Sequence, residues 1–311
     1  MALPFTVVDV FTETPFKGNP LAVVTIPPGV VLTQAQKQDI AREFNLSETT
    51  FVHDVAPTDE HFTDKRRFDI FTPAAEIPFA GHPTIGTAVF LHPRGVRTLL
   101  AKAGSITIEP AAHGALRAAI PHDIRLHQRR LPAPETGLPE PTPQAVVARA
   151  EGGAPLFSIV KGMTFALIEL PSLELLGAAC VGAMPAIPVE LLDNGWRDGW
   201  VTRRYYFVRL GSERVGSRTI HRIRARMVKL TMEDPATGSA ACALSSYLSL
   251  YELEEQSATF EITQGVEMGR DSNILVDTEV GKGLDGARRL HALHLGGQAV
   301  PVMSGTIMAR P

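Results

Sequence analysis

The chain has 311 residues, 44% of them hydrophobic and 20% charged, an ordinary globular balance at a length that accommodates two domains. Its net charge of −3 at pH 7 gives no general attraction to nucleic acid or to an anionic membrane surface. Cys180 and Cys242 supply neither a disulfide framework nor metal-ligand spacing, the N-terminus has no basic segment ahead of an apolar run, and no uncharged run reads as a membrane span, so the expectation is a soluble, cytoplasmic protein.

Phe5 to Phe11 is apolar and β-branched, a buried strand. Turn residues from Thr14 to Pro20 lead to a second strand, Leu21 to Ile26; within them Asn19 is either a turn residue or a ligand contact. Thr33 and Gln36 form a capping box, opening a helix that runs to about Phe44, and Asn45 marks its stop. A strand is expected over Leu46 to Val52. Strand alternation then puts Glu48 in one row with Leu46, Thr50 and Val52. That carboxylate is either an edge charge in water or a partly desolvated group whose raised pKa suits general acid–base work. Arg67 to Thr72 is the next strand. Ser105 to Glu109 and Ala115 to Ile120 read as a pair joined through Ala112-His113-Gly114.

From Pro121 to Pro143 the chain turns polar and proline-rich, the best domain boundary, which predicts domains 1–125 and 126–311, with the last strand free to pack back on the first domain. A short helix over Gln144 to Ala150 follows, then strands at Phe157 to Val160, Thr164 to Leu170, Tyr205 to Leu210 and Ile220 to Val228. In the last of these Arg222, Arg224 and Arg226 share a face, read as a solvated edge or, for one of them, a holder of a substrate carboxylate. Further strands are expected near Thr259 to Thr263, Ile274 to Val276 and Val300 to Met303. Many strands, few helices and no regular β-α-β alternation predict a mixed α+β fold.

The organising stretch is Glu233 to Leu244. Asp234 reads as an N-cap and Pro235 as the first residue of a helix reaching about Leu250. Its first turns are nearly all small residues, Ala236, Gly238, Ser239, Ala240 and Ala241, so another backbone or a ligand can come close. Free N–H groups and the helix dipole make such an end a site for an anion. A similar pattern occurs at Gly81-His82-Pro83-Thr84-Ile85-Gly86-Thr87-Ala88. Aligning His82 with Asp234 (234 − 82 = 152) places the two copies half a chain apart, which predicts two similar domains, each with a central helix.

Six segments, in order, resemble the PhzF-like isomerases, a family named for phenazine biosynthesis that shares a fold with diaminopimelate epimerase. They are Gly18 to Val24, Asn45 to Phe51, Phe71-Thr72-Pro73 with Glu76, Ala80 to Thr84, Glu233 to Ala240, and Gln264-Gly265 with Met268-Gly269-Arg270. The resemblance implies two pseudo-symmetric domains, each an open mixed β-barrel around a central helix, with the active site in the cleft between them. It also implies Glu48 as the catalytic acid–base residue, with Asn19, Gly81, His82, Asp234, Gly238 and Ser239 as the substrate-binding set. Epimerase relatives use a thiol at the start of each central helix; Gly86 and Pro235 stand at those positions here, so two-thiol racemisation is not expected. The leading reading is a cofactor-independent, metal-free isomerase that shifts a proton on a small carboxylate, similar to dihydro-hydroxyanthranilate isomerases, and acts as a homodimer. An epimerase or racemase of the same fold with an amino-acid-like substrate, and a non-catalytic small-molecule-binding protein, are the alternatives. The segment Arg224 to Met232 departs from the family pattern and bears on specificity.

Overall fold

In the computed structural model the described residues are 1–55, 64–111, 114–135, 137, 139, 142–182, 184–199, 202–228 and 232–310. The linker residues Ala112 and His113, and Lys229, Leu230 and Thr231 of the departing segment, lie outside them. The chain divides into two compact units, Met1–Ile120 with Leu295–Pro311, and Pro121–His294.

The first unit contains β1 (Ala2–Val10), β2 (Asn19–Ile26), α1 (Gln34–Phe44), β3 (Thr49–His53), β4 (Lys65–Phe71), β5 (Glu76–Ile77), α2 (Gly81–Leu91), β6 (Thr98–Ala101), β7 (Gly104–Pro110) and β8 (Leu116–Ala119). In the second unit follow β9 (Arg125–Arg130), α3 (Pro143–Ala150), β10 (Pro155–Val160), β11 (Met163–Glu169), α4 (Leu173–Ala178), β12 (Arg203–Val215), β13 (Arg218–Val228), β14 (Glu233–Asp234), α5 (Gly238–Tyr251), β15 (Ser257–Gln264) and β16 (Ser272–Lys282). The chain then runs through β17 (Arg288–Gly297) to β18 (Ala299–Met308), which pairs antiparallel with β1. The fold is sheet-dominated α+β with few helices. No described helix is long and apolar enough to cross a membrane.

The two units repeat one topology. In the first, β1 and β2 are antiparallel, β2 and β3 parallel across α1, β3 and β4 antiparallel, β4 and β6 parallel across α2, and β6 and β7 antiparallel. In the second, β10, β11, β12, β13, β15 and β16 follow the same alternation, with α4 and α5 in the crossovers. Even the two-residue strands correspond. Phe71 faces Glu76 and Ile70 faces Ile77, as Val228 faces Glu233 and Met227 faces Asp234. This register fixes the repeat at 233 − 76 = 157 residues. The 152-residue alignment is therefore corrected: His82 corresponds to Ser239, Gly81 to Gly238 and Ile77 to Asp234.

Helices α2 and α5 are buried almost all round, so each has packing partners on nearly every side. In its own unit α2 packs on β1, β2, β3, β8 and β18, and α5 on β10, β11, β15 and β16. The small residues serve this packing. A Cβ on Gly86 would lie 2.6 Å from both Leu21 Cδ2 and Val10 Cγ2. Outer layers cover the other sheet faces. Ile40 and Ala41 of α1 pack with Val24, Phe51 and Phe71, and Leu176 of α4 packs with Ile168, Tyr206 and Val208.

Candidate functional site

The capping box predicted at Thr33 is present, and Asn45 ends α1 in the left-handed region at φ 50°. The predicted strand over Leu46 to Val52 starts only at Thr49, with Leu46 and Ser47 in a bend and Glu48 between the bend and the strand. Strand alternation therefore does not aim Glu48; the turn after Asn45 does. Its side chain is largely covered, at 15% exposure, and Oε2 lies 3.0 Å from Nδ1 of His82. His82 is the second residue of α2 and is buried. With the carboxylate accepting, Nδ1 carries the hydrogen, and Nε2 is left buried with no hydrogen-bond partner among the described residues. Gly81 opens the same helix and is buried.

Asn19 opens β2 opposite Val10 and is buried. Its neighbour Gly18 has φ +67°, and a Cβ there would sit 2.2 Å from the Val10 carbonyl oxygen. Only glycine fits that bend, so the strand entrance that carries Asn19 has one shape.

In the second unit, the expected N-cap role of Asp234 is corrected. Helix α5 begins at Gly238, and Thr237 is its N-cap. Asp234 belongs to β14, whose pairing with Met227 outweighs its local capping preference. Thr237 Oγ1 donates to Asp234 Oδ2 at 2.8 Å. The two small-residue helices thus share a feature. Thr33, Thr142 and Ser172 cap α1, α3 and α4 through their side chains, whereas neither Ala80 before α2 nor Thr237 before α5 makes a side-chain cap. The helix starts bearing Gly81 and His82, and Gly238 and Ser239, thus leave the first-turn N–H groups without that partner, the requirement for binding an anion.

Of the predicted residues, the structure joins Glu48 to His82 in one unit. It places Asp234 beside the start of α5, ahead of Gly238 and Ser239, in the other. Sequence reasoning gave no role to Tyr205, Thr237 and Gln264, which form a buried network behind Asp234; the Gln264-Gly265 pair was a family marker only.

Other candidates resolve as structural. Arg222 pairs with Glu213 and Glu261, Arg224 with Glu267 at 3.0 Å, and Arg226 with Glu233 through two bonds of 2.8 and 2.7 Å. Arg226 is buried, so the face is not a uniformly solvated edge. Its guanidinium also donates to the carbonyls of Leu176 and Gly177, tying α4 to the sheet. Buried His127 lies 2.9 Å from Ser158 Oγ, which resembles a nucleophile–base pair. However, its Nδ1 accepts from the Asp193 N–H at 3.0 Å, so Nε2 carries the hydrogen and donates to Ser158. That direction cannot activate the hydroxyl. Burial pushes the Cys242 thiol up, leaving it protonated and inert. Among the described residues no group of three or more His, Cys, Asp or Glu is arranged to hold a metal ion.

The family model described as phenazine biosynthesis-like protein (PhzC-PhzF) matches residues 8–172 and 203–305. An uncharacterized isomerase of Mesorhizobium japonicum is 33% identical over 96% of each chain. The trans-2,3-dihydro-3-hydroxyanthranilate isomerase of Pseudomonas fluorescens is 31% identical over 98% of this chain and 99% of that one. Among solved structures, a phenazine biosynthesis protein of the PhzF family from Bacillus anthracis superposes with a TM-score of 0.69 over 99% of each chain. At 19% identity this likeness speaks for the fold alone.

Proposed function

Because the chain belongs to the phenazine biosynthesis-like (PhzC-PhzF) family and is an isomerase, we propose that it shifts a proton on a small carboxylate substrate without a cofactor, in the manner of trans-2,3-dihydro-3-hydroxyanthranilate isomerase. The observation that carries this reading is the pair formed by Glu48 and His82, 3.0 Å apart at the start of α2. Glu48 is the acid–base residue. It takes a proton from one carbon and returns it to another, so one carboxylate suffices. His82 holds that carboxylate through Nδ1, and its buried Nε2 gains its missing partner from the substrate.

The substrate-binding set is Asn19, Gly81, His82, Asp234, Gly238 and Ser239. In each unit the uncapped helix start, that of α2 in the first and that of α5 in the second, offers backbone N–H groups to an anionic group. Each unit is one domain, its sheet wrapped as an open barrel around its crossover helix, and the working protein is a cytoplasmic homodimer. Gly86 and Pro235, rather than thiols, at the positions where the epimerase relatives carry them support a single carboxylate over a two-thiol racemase.

The test is direct. Purified protein treated with a chelator and dialysed is given trans-2,3-dihydro-3-hydroxyanthranilate, and substrate loss is followed by chromatography. Isomerisation with no metal or cofactor added is the expected result. No turnover, or turnover restored only by a metal or an organic cofactor, overturns the reading.

A further inference from the structure

We propose that Gln264 is a positioning residue for the Asp234 carboxylate, acting through the Thr237 hydroxyl. The inference rests on the reading of Asp234 as a substrate-binding residue. Gln264 is wholly buried at the end of β15, and its amide makes four hydrogen bonds. Oε1 accepts from the Tyr205 hydroxyl at 3.0 Å and from the Thr237 N–H at 3.3 Å. Nε2 donates to the Asp234 carbonyl at 2.8 Å and to Thr237 Oγ1 at 3.2 Å.

Every link in this network has one direction. The Asp234 carbonyl can only accept, and the Thr237 N–H can only donate, so the amide has a single orientation. Burial, with Cys242 and Asp234 nearby, pushes the Tyr205 phenol up, so it stays a donor. Thr237 Oγ1 receives the amide hydrogen and has one hydrogen of its own, which goes to Asp234 Oδ2. The carboxylate is thereby held through both its backbone carbonyl and its side chain. The same bonds divert the N-cap hydroxyl from α5 and leave that helix start open.

The shared topology does not require this arrangement. At the equivalent turn of the first unit the place of Asp234 is taken by Ile77, and strand register puts Thr50 where the second unit has Tyr205. There Thr50 receives a bond from the Thr87 hydroxyl, and the turn is held by the Ala103 N–H on the Pro78 carbonyl. A buried polar network confined to the unit that carries the carboxylate points to a task for that carboxylate.

The test uses the full chain, trans-2,3-dihydro-3-hydroxyanthranilate as probe, and Thr237→Val, Thr237→Ser, Gln264→Glu and Asp234→Asn. Thr237→Val is expected to lose at least about tenfold in kcat/KM, the rate equivalent of one hydrogen bond to a charged group, and Thr237→Ser to recover it. Gln264→Glu is expected to lose more at pH 8 than at pH 6, because only the protonated acid can donate to Thr237. A packing role alone would not give that pH dependence. Thermal melts establish that each variant is folded; if Gln264→Glu is not, the two Thr237 variants decide. Thr237→Val and Gln264→Glu within about twofold of the parent at both pH values, beside an impaired Asp234→Asn, overturn the inference alone. A fully active Asp234→Asn overturns the role of Asp234 and the inference with it.

Discussion

Asp69 offers a sharp quantitative test of how the first unit is held together. Lys37 of α1 donates to Asp69 Oδ2 at 2.5 Å, and His53 Nε2 lies 2.7 Å from the same oxygen. Lys37 and Asp69 are 4% and 7% exposed, so this is not a surface pair worth about 0–1 kcal/mol. Removing one partner of a buried pair strands a charge and costs about 3–5 kcal/mol. Asp69→Leu should lose that much, and Asp69→Asn less, since an amide oxygen still accepts from Lys37. With a urea dependence of about 2 kcal/mol per molar, the unfolding midpoint of Asp69→Leu should fall by about 2 M. Adding Lys37→Met should restore most of it, because an apolar pair needs no compensation. The pH dependence has a definite sign. Burial raises the Asp69 carboxyl, but the hydrogen bonds and charges of His53 and Lys37 overcome it and hold it well below the usual carboxylate range. Its contribution is therefore complete above the unfolded value of about 4 and declines as pH falls below it. An Asp69→Leu midpoint within about 0.3 M of the parent at pH 7 would refute the reasoning.

Other outcomes follow from the same geometry. Gly86→Ala gains about 1 kcal/mol of helix propensity, but its methyl meets two buried side chains at 2.6 Å, an overpacking cost of about 1–3 kcal/mol, so calorimetry should show a lower Tm. A higher Tm would mean that α2 stands off β1 and β2. His127 is held neutral: burial pushes its pKa below the usual histidine value, Asp193 opposes this and Arg125 adds to it. Its share of stability is thus present above about pH 6.5 and lost as pH falls below, and His127→Gln should flatten the urea midpoint between pH 7 and 5 relative to the parent. Ser158 should resist a fluorophosphonate probe, because His127 donates to it; labelling would reverse that assignment.

Much of the frame was legible in sequence because local chemistry decided it. The Thr33-Gln36 box and Asn45 bound α1 as expected, and expected strand segments became β1, β2, β4, β10, β11 and β15. Long-range pairing decided the rest. Asp234 and Pro235 carry strong helix-start signals, yet β13 recruits Asp234 into β14, and α5 starts later. The repeat was found at the wrong offset because the Gly-x-Ala pattern is local, whereas the register of β5 and β14 is a tertiary property. Strand β9 hid in the polar stretch taken as a connection: of Arg125 to Arg130 only His127 is buried. Glu48 precedes β3, so the alternation expected of it does not hold, and only the family resemblance points to it from sequence. The link from Glu48 to His82, thirty-four residues apart, follows from no periodicity. Gln264 stood out only as part of a family segment, with no signal of its role, since a buried glutamine in an alternating strand differs from its neighbours only through partners far away in sequence.

The central claim is that Glu48 carries the proton, and Glu48→Gln tests it most directly. The amide keeps the shape and can still meet His82, so fold and ligand affinity should be retained. Turnover of trans-2,3-dihydro-3-hydroxyanthranilate, followed in deuterated water by mass spectrometry and NMR, should fall at least about 10²-fold, the low end for loss of a general acid–base. The parent should place label at the new C–H position, diluted only by direct return of the abstracted proton. A Glu48→Gln variant that turns over and incorporates label at the parent rate would contradict the account.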